Sequence, residues 1–102
     1  MGQDLATEYA DRIRTKLGTR VKHIILFGSR ARGDAWEGSD YDCIVVVDQR
    51  SADVREAILD ADTEMLDRYG RLFAALIYSE EEWKRCQRYP LGWNVEKEGV
   101  AL

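Results

Sequence analysis

The sequence predicts an α/β (α+β) layered domain, on three observations. Helical and strand patterns alternate along the chain as helix, strand, short helix, strand, helix, strand, helix. The run Ile44-Val45-Val46-Val47 is apolar without alternation, as in a strand covered on both faces. With 102 residues, 45% of them apolar and 33% charged, the chain has material for one core and no second one. A single domain over residues 1–102 is therefore expected, with a small mixed sheet of about three to four strands and helices packed against it.

Each element has its own signal. Leu5, Tyr9, Ile13 and Leu17 recur at helical spacing, so residues 4–17 read as an amphipathic helix with Gly18 as its stop. Val21 to Phe27 is rich in β-branched and aromatic residues and reads as a strand ending at Gly28-Ser29. Ser29 is placed to cap a short helix. A second strand runs from about Asp40 to Asp48. Ser51 then caps a long helix with Asp53 in its first turn, a stripe of Val54, Ile58, Ala61, Met65 and Tyr69, and Gly70 as its stop. Leu72 to Tyr78 is a third apolar strand. Ser79 with Glu82 three residues on forms a capping box for a helix expected to reach about Arg88, before Pro90. The tail from Leu91 to Leu102 is compatible with both a helical turn and a short terminal strand.

Composition narrows the function classes. The balance of 15 Lys and Arg against 19 Asp and Glu, net −4, argues against nonspecific nucleic-acid binding. No apolar run approaches the roughly 18–20 residues that span a bilayer, and the N-terminal residues lack the apolar core of an export signal. Cys43 and Cys86 have no metal-like spacing, so a reducing cytoplasm is the expected location. A chain of this size also leaves little room for a deep acceptor cleft of its own.

One stretch carries chemistry: Gly28-Ser29-Arg30-Ala31-Arg32-Gly33-Asp34-Ala35-Trp36-Glu37-Gly38-Ser39-Asp40-Tyr41-Asp42. Gly28 permits close backbone approach as the chain leaves its strand. Free N–H groups behind Ser29 suit a phosphate, and the guanidinium forks of Arg30 and Arg32 match phosphate oxygens. Asp40 and Asp42 leave the same face of a strand start, with Cα atoms roughly 6–7 Å apart. Carboxylates that close repel unless a cation lies between them, and Mg²⁺ takes one or two carboxylates together with substrate phosphates.

Gly28-Ser29, ten intervening residues and Asp40-Tyr41-Asp42 resemble the GS-x10-DxD signature of the polymerase-β-like nucleotidyltransferase superfamily. The full stretch from Ile24 to Asp48 is similar to its minimal nucleotidyltransferase (MNT) branch, small proteins that are often antitoxins of HEPN toxins. The resemblance implies the nucleotidyltransferase fold. It also implies that Gly28 and Ser29 hold the triphosphate of an NTP, chiefly ATP, and that Asp40 and Asp42 hold one or two Mg²⁺ ions. An acceptor hydroxyl would attack the α-phosphate and pyrophosphate would leave. In some antitoxin members the acceptor is a tyrosine of the toxin.

Active members of the superfamily usually carry a third carboxylate on a later strand. If the first two strands are antiparallel neighbours and the long helix returns the chain for a parallel third strand, that position falls around Leu72 to Ala75. No acid stands there. Glu80, Glu81 and Glu82 lie roughly 20–26 Å further along, at the wrong end of the sheet. They fit a helix start better. Asp67 belongs to the helical layer.

Bland alternatives accompany each residue. Gly28-Ser29 also fits a plain turn, and Asp40 and Asp42 also fit solvated strand-entry acids. Arg30 and Arg32 also fit surface solvation, with Arg32 able to pair with Asp34 or Asp40. Ser39 either caps or orients the aspartate pair, or does neither. Trp36 reads first as a packed loop anchor, His23 as a structural residue far from the site, and Cys43 and Cys86 as core. Three functions compete: a nucleotidyltransferase, an interaction module that silences a helical HEPN-type partner, and a nucleotide sensor. A homo-oligomer is compatible with each.

Overall fold

A computed structural model describes residues 2–28 and 40–102. Ser29, Arg30, Arg32, Trp36, Ser39 and the expected short helix lie outside the described residues. The elements are α1 (Gly2–Leu17), a 3-10 turn (Gly18–Arg20), β1 (Val21–Phe27), β2 (Tyr41–Val47), α2 (Ala52–Tyr69), β3 (Phe73–Ser79), α3 (Glu80–Cys86), α4 (Pro90–Glu98) and β4 (Val100–Ala101).

The expected local signals operate. Gly18 and Gly70 end α1 and α2 in the left-handed region, at φ 59° and 65°. The Ser51 hydroxyl accepts from the Val54 N–H at the start of α2. Ser79 and Glu82 form the reciprocal capping box that opens α3.

The sheet order is β3-β2-β1-β4, with β1 antiparallel to β2 and to β4, and β2 parallel to β3. The antiparallel pair and the helical crossover to a parallel strand both follow the expected topology. β2 is central, and all its residues except Asp42 are buried. Its continuous apolar run has the expected cause, because helices cover both faces. On one face α1 and α2 pack Tyr9, Ile13, Val54, Ile58 and Met65 against Ile24, Leu26, Cys43 and Val45. On the other, Trp83 of α3 and Val95 of α4 pack against Ile44 and Val46, with Tyr78 and Cys86 at the margin. The two helices of the first face are also tied by Arg12, which pairs with Glu8 and Glu64 at 3.0 Å each. His23 is exposed on β1, in register with Val46 and away from Gly28.

The C-terminal part corrects the expected boundary. α3 stops at Cys86 rather than near Arg88, and Pro90 opens α4 at its first turn instead of following the end of a helix. Proline is suited there because its missing N–H has no intrahelical partner at that position. The tail then forms both elements that the sequence allowed. β4 pairs with β1 through Ile25–Ala101 and Leu26–Val100.

The turn between α3 and α4 depends on Gly92. A Cβ there would stand 2.3 Å from the Cys86 carbonyl oxygen and 2.6 Å from Gln87 Cα, both backbone atoms with nowhere to move. Gly92→Ala is expected to lower unfolding stability by about 1–3 kcal/mol, the range for overpacking a tight contact, as read from urea denaturation.

Candidate functional site

Topology brings the chemistry to one end of the sheet. β1 finishes where its antiparallel neighbour β2 begins, and β3, parallel to β2, begins there too. In register, Phe27 faces Asp42 across one ladder and Asp42 faces Ala74 across the other. Gly28, Asp40, Asp42 and Ala74 therefore gather at that end. Asp42 shares its sheet face with Ile44 and Val46, because side chains alternate along a strand. Asp40, one residue before β2, is exposed, while Asp42 is half-buried.

Gly28 makes the close approach possible. Its φ is 79°, and a Cβ there would come within 2.9 Å of Asp42 Oδ2. The missing side chain thus gives the Asp42 carboxylate its place against the end of β1. That carboxyl is held above the ordinary aspartate range, first by burial and then by the nearby charge of Asp40. No lysine or arginine among the described residues pairs with either aspartate.

The same pair can hold a metal. Carboxylate oxygens suit a hard divalent cation, and a cation would relieve the cost that burial and like charge place on Asp42. Among the described residues no group of three His, Cys, Asp or Glu side chains forms a complete protein cage. Further ligands would come from water and from a phosphorylated substrate, the arrangement usual for Mg²⁺. Gly28, Asp40 and Asp42 are thus brought together, while Ser29, Arg30, Arg32 and Ser39 lie outside the described residues.

The position sought for a third acid is filled by Ala74, whose methyl group stands in register with Asp42. Glu80, Glu81 and Glu82 open α3 at the opposite end of β3, as expected. There they border a groove of about 630 Å³ with Asp48, Gln49, Arg50 and Lys84, and Glu82 is engaged by Arg50 at 2.6 Å. This groove lies away from the paired aspartates. Asp67 is exposed on α2.

Two features beneath the site had no clear sequence signal. Tyr41, the residue between the aspartates, points into the core and stacks on Phe73 with centroids 4.4 Å apart. Tyr9 of α1 stacks on the same ring at 4.4 Å. This three-ring column braces the first residues of β2 and β3. The Tyr9 hydroxyl donates to Asp62 Oδ1 of α2 at 2.5 Å. Burial pushes Asp62 up to about 6, against a smaller opposing effect of that hydrogen bond. Its only trace in the sequence is an acid beside the apolar stripe position Ala61.

Residues 7–90 match a family model described as a nucleotidyltransferase domain. A Methanocaldococcus jannaschii protein named as a candidate protein adenylyltransferase is 37% identical over 95 residues, covering 93% of this chain and 91% of the relative. The crystal structure of a candidate nucleotidyltransferase from Sulfolobus solfataricus superposes with a TM-score of 0.55 at 25% identity, over 96% of this chain and 76% of the other. A chain from the complex of a tri-AMPylated Shewanella oneidensis HEPN toxin with MNT antitoxin superposes at 0.60. It is 16% identical, over 99% of this chain and 71% of that one, a likeness of fold alone.

Two outcomes test this geometry. Gly28→Ala is expected to cost about 1–2 kcal/mol in urea unfolding through its positive φ, and to move the Asp42 carboxyl resonance as the carboxylate is displaced. For Asp62, the folded-state value lies above the ordinary one of 3.8. Its ionisation therefore opposes folding, and stability falls as pH rises through about 6. Asp62→Asn keeps an acceptor for Tyr9, so thermal melts should show a flatter pH dependence between the two values and a gain over wild type above them.

Proposed function

Because the chain belongs to the nucleotidyltransferase domain family, we propose that it transfers the nucleoside monophosphate of an NTP, chiefly ATP, to a hydroxyl of a separate protein, with Mg²⁺ as cofactor. The observation that carries this reading is the Asp40–Asp42 pair set against Gly28 at one sheet end, with no internal cation to neutralise it among the described residues. The name of the 37% identical relative supports protein adenylylation as the finer activity.

Asp40 and Asp42 would hold the metal, and Gly28 and Ser29 would hold the triphosphate, with Arg30 and Arg32 on phosphate oxygens and Ser39 orienting the pair. Bound there, Mg²⁺ supplies neutralisation of the phosphate charge during in-line displacement. The acceptor hydroxyl would lose its proton to solvent water, and its oxygen would form a bond to the α-phosphorus as the bond to the bridging oxygen breaks and pyrophosphate departs.

Ala74 limits what the acceptor can be. With no carboxylate at this position to take the proton, a hydroxyl that ionises easily is favoured. The phenol of tyrosine, with an ordinary value of about 10, is the best protein candidate. This supports a tyrosine of a HEPN-type helical toxin as the target, with the present chain as its antitoxin. The free thiols of Cys43 and Cys86 fit a cytoplasmic setting.

The same alanine also favours a second reading, an inactive module that neutralises its partner by binding alone. One experiment separates the two. With α-labelled ATP, Mg²⁺ and the product of a neighbouring gene encoding a helical protein, wild type should label the partner. Asp42→Asn should lower transfer by about two orders of magnitude. No label with wild type, together with neutralisation that survives Asp40→Ala and Asp42→Ala, would establish the binding module instead.

A further inference from the structure

Among the described residues β3 is an edge strand, hydrogen-bonded to β2 on one side. All seven of its residues, Phe-Ala-Ala-Leu-Ile-Tyr-Ser, lack charge, and there is no proline or glycine to blunt the edge. Edges of this kind are templates for another strand, because alternate N–H and C=O groups point outward unpaired. Leu72, just before the strand, is 51% exposed and Leu76 at its centre is 45% exposed. Beside the strand runs a groove of about 600 Å³, bordered by Ala75, Leu76 and Ile77 and by Ala52 and Arg55 of α2. Leu59 and Leu66 lie four and eleven residues after Arg55, on the same helix face, and are also exposed. The edge and its flank thus form a margin that carries four exposed leucines beside a groove whose polar border is Arg50, Ser51 and Arg55.

We propose that this margin is the interface of a homodimer in which β3 of two copies pairs antiparallel, joining the two sheets into one. Three features select a second copy as the occupant. First, the strand is complementary to itself. A twofold axis through Leu76, its middle residue, pairs all seven residues and keeps matching faces together. Small residues then meet large ones: Ala74 faces Tyr78 of the partner subunit, and Ala75 faces Ile77 of the partner subunit. Second, the uncharged strand is flanked by opposite charges, Arg71 before it and Glu80 and Glu81 after it. In this register Arg71 approaches Glu81 of the partner subunit at both ends of the interface. Third, the backbone groups of an edge are satisfied by a strand, and an apolar strand of equal length is present in every copy. The inference is independent of the nucleotide chemistry proposed above.

Light scattering on the full chain is expected to give twice the 11.7 kDa of one copy. Leu76→Lys places two like charges on the axis of the dimer while changing an exposed side chain, so the mass should fall to one copy with an unchanged circular dichroism spectrum. Leu76→Cys should yield an oxidant-dependent, reductant-sensitive dimer that wild type does not form. Across an antiparallel pair the Cα atoms lie about 4.5–5.5 Å apart, within disulfide reach. Arg71→Glu should weaken association and Arg71→Glu with Glu81→Arg should restore it. A single-copy mass for wild type at every concentration would overturn the proposal, as would a dimer that persists unchanged in Leu76→Lys.

Discussion

Two carboxylates of one strand entrance, with no internal cation among the described residues to balance them, form the constraint on which the rest of the structure bears. Asp42 is half-buried beside Asp40, and burial and like charge both oppose its ionisation. A fold does not keep such a pair for its own stability, because solvated or apolar residues would serve better at a sheet end. The pair becomes favourable when a cation and an anionic ligand complete it. The cost is carried by a rigid base: β2 is buried on both faces, and the Tyr9–Phe73–Tyr41 column fixes the residues around Asp42 from the opposite face.

The sheet topology turns that base into a site. An antiparallel turn and a parallel crossover bring the end of β1 and the starts of β2 and β3 together. The small residues at those positions are as important as the acids. Gly28 leaves space for a carboxylate, and Ala74 leaves a methyl group where a third acid would reach the same point. A site built in this way can grip a nucleotide and yet do little to activate an acceptor. On the function proposed above, its selectivity would rest on the acceptor's own acidity and on how a partner presents it.

Much of this was legible in the sequence because local chemistry decides it. The caps at Ser51 and Ser79 and the stops at Gly18 and Gly70 need few distant contacts to specify them, and the two-faced burial of β2 shows in its unbroken apolar run. The position of the absent acid followed from chain direction alone. Pro90 reads as a stop in the sequence because proline both follows and begins helices, whereas in the fold it opens α4, with Gly92 packed on the α3 terminus. Asp62 was not legible because its importance comes from Tyr9, 53 residues away in sequence. The open edge of β3 was hidden as well. An apolar strand reads alike whether its neighbour is in the same chain or in another.

Calorimetric titration of ATP into the chain tests the central claim most directly, because it measures whether the aspartate pair needs a cation to accept a nucleotide. The account predicts saturable binding of one ATP per chain in the presence of Mg²⁺, lost when the metal is chelated and lost in the Asp40→Asn, Asp42→Asn double variant. Binding of equal strength without the metal, or undiminished in the double variant, would contradict it.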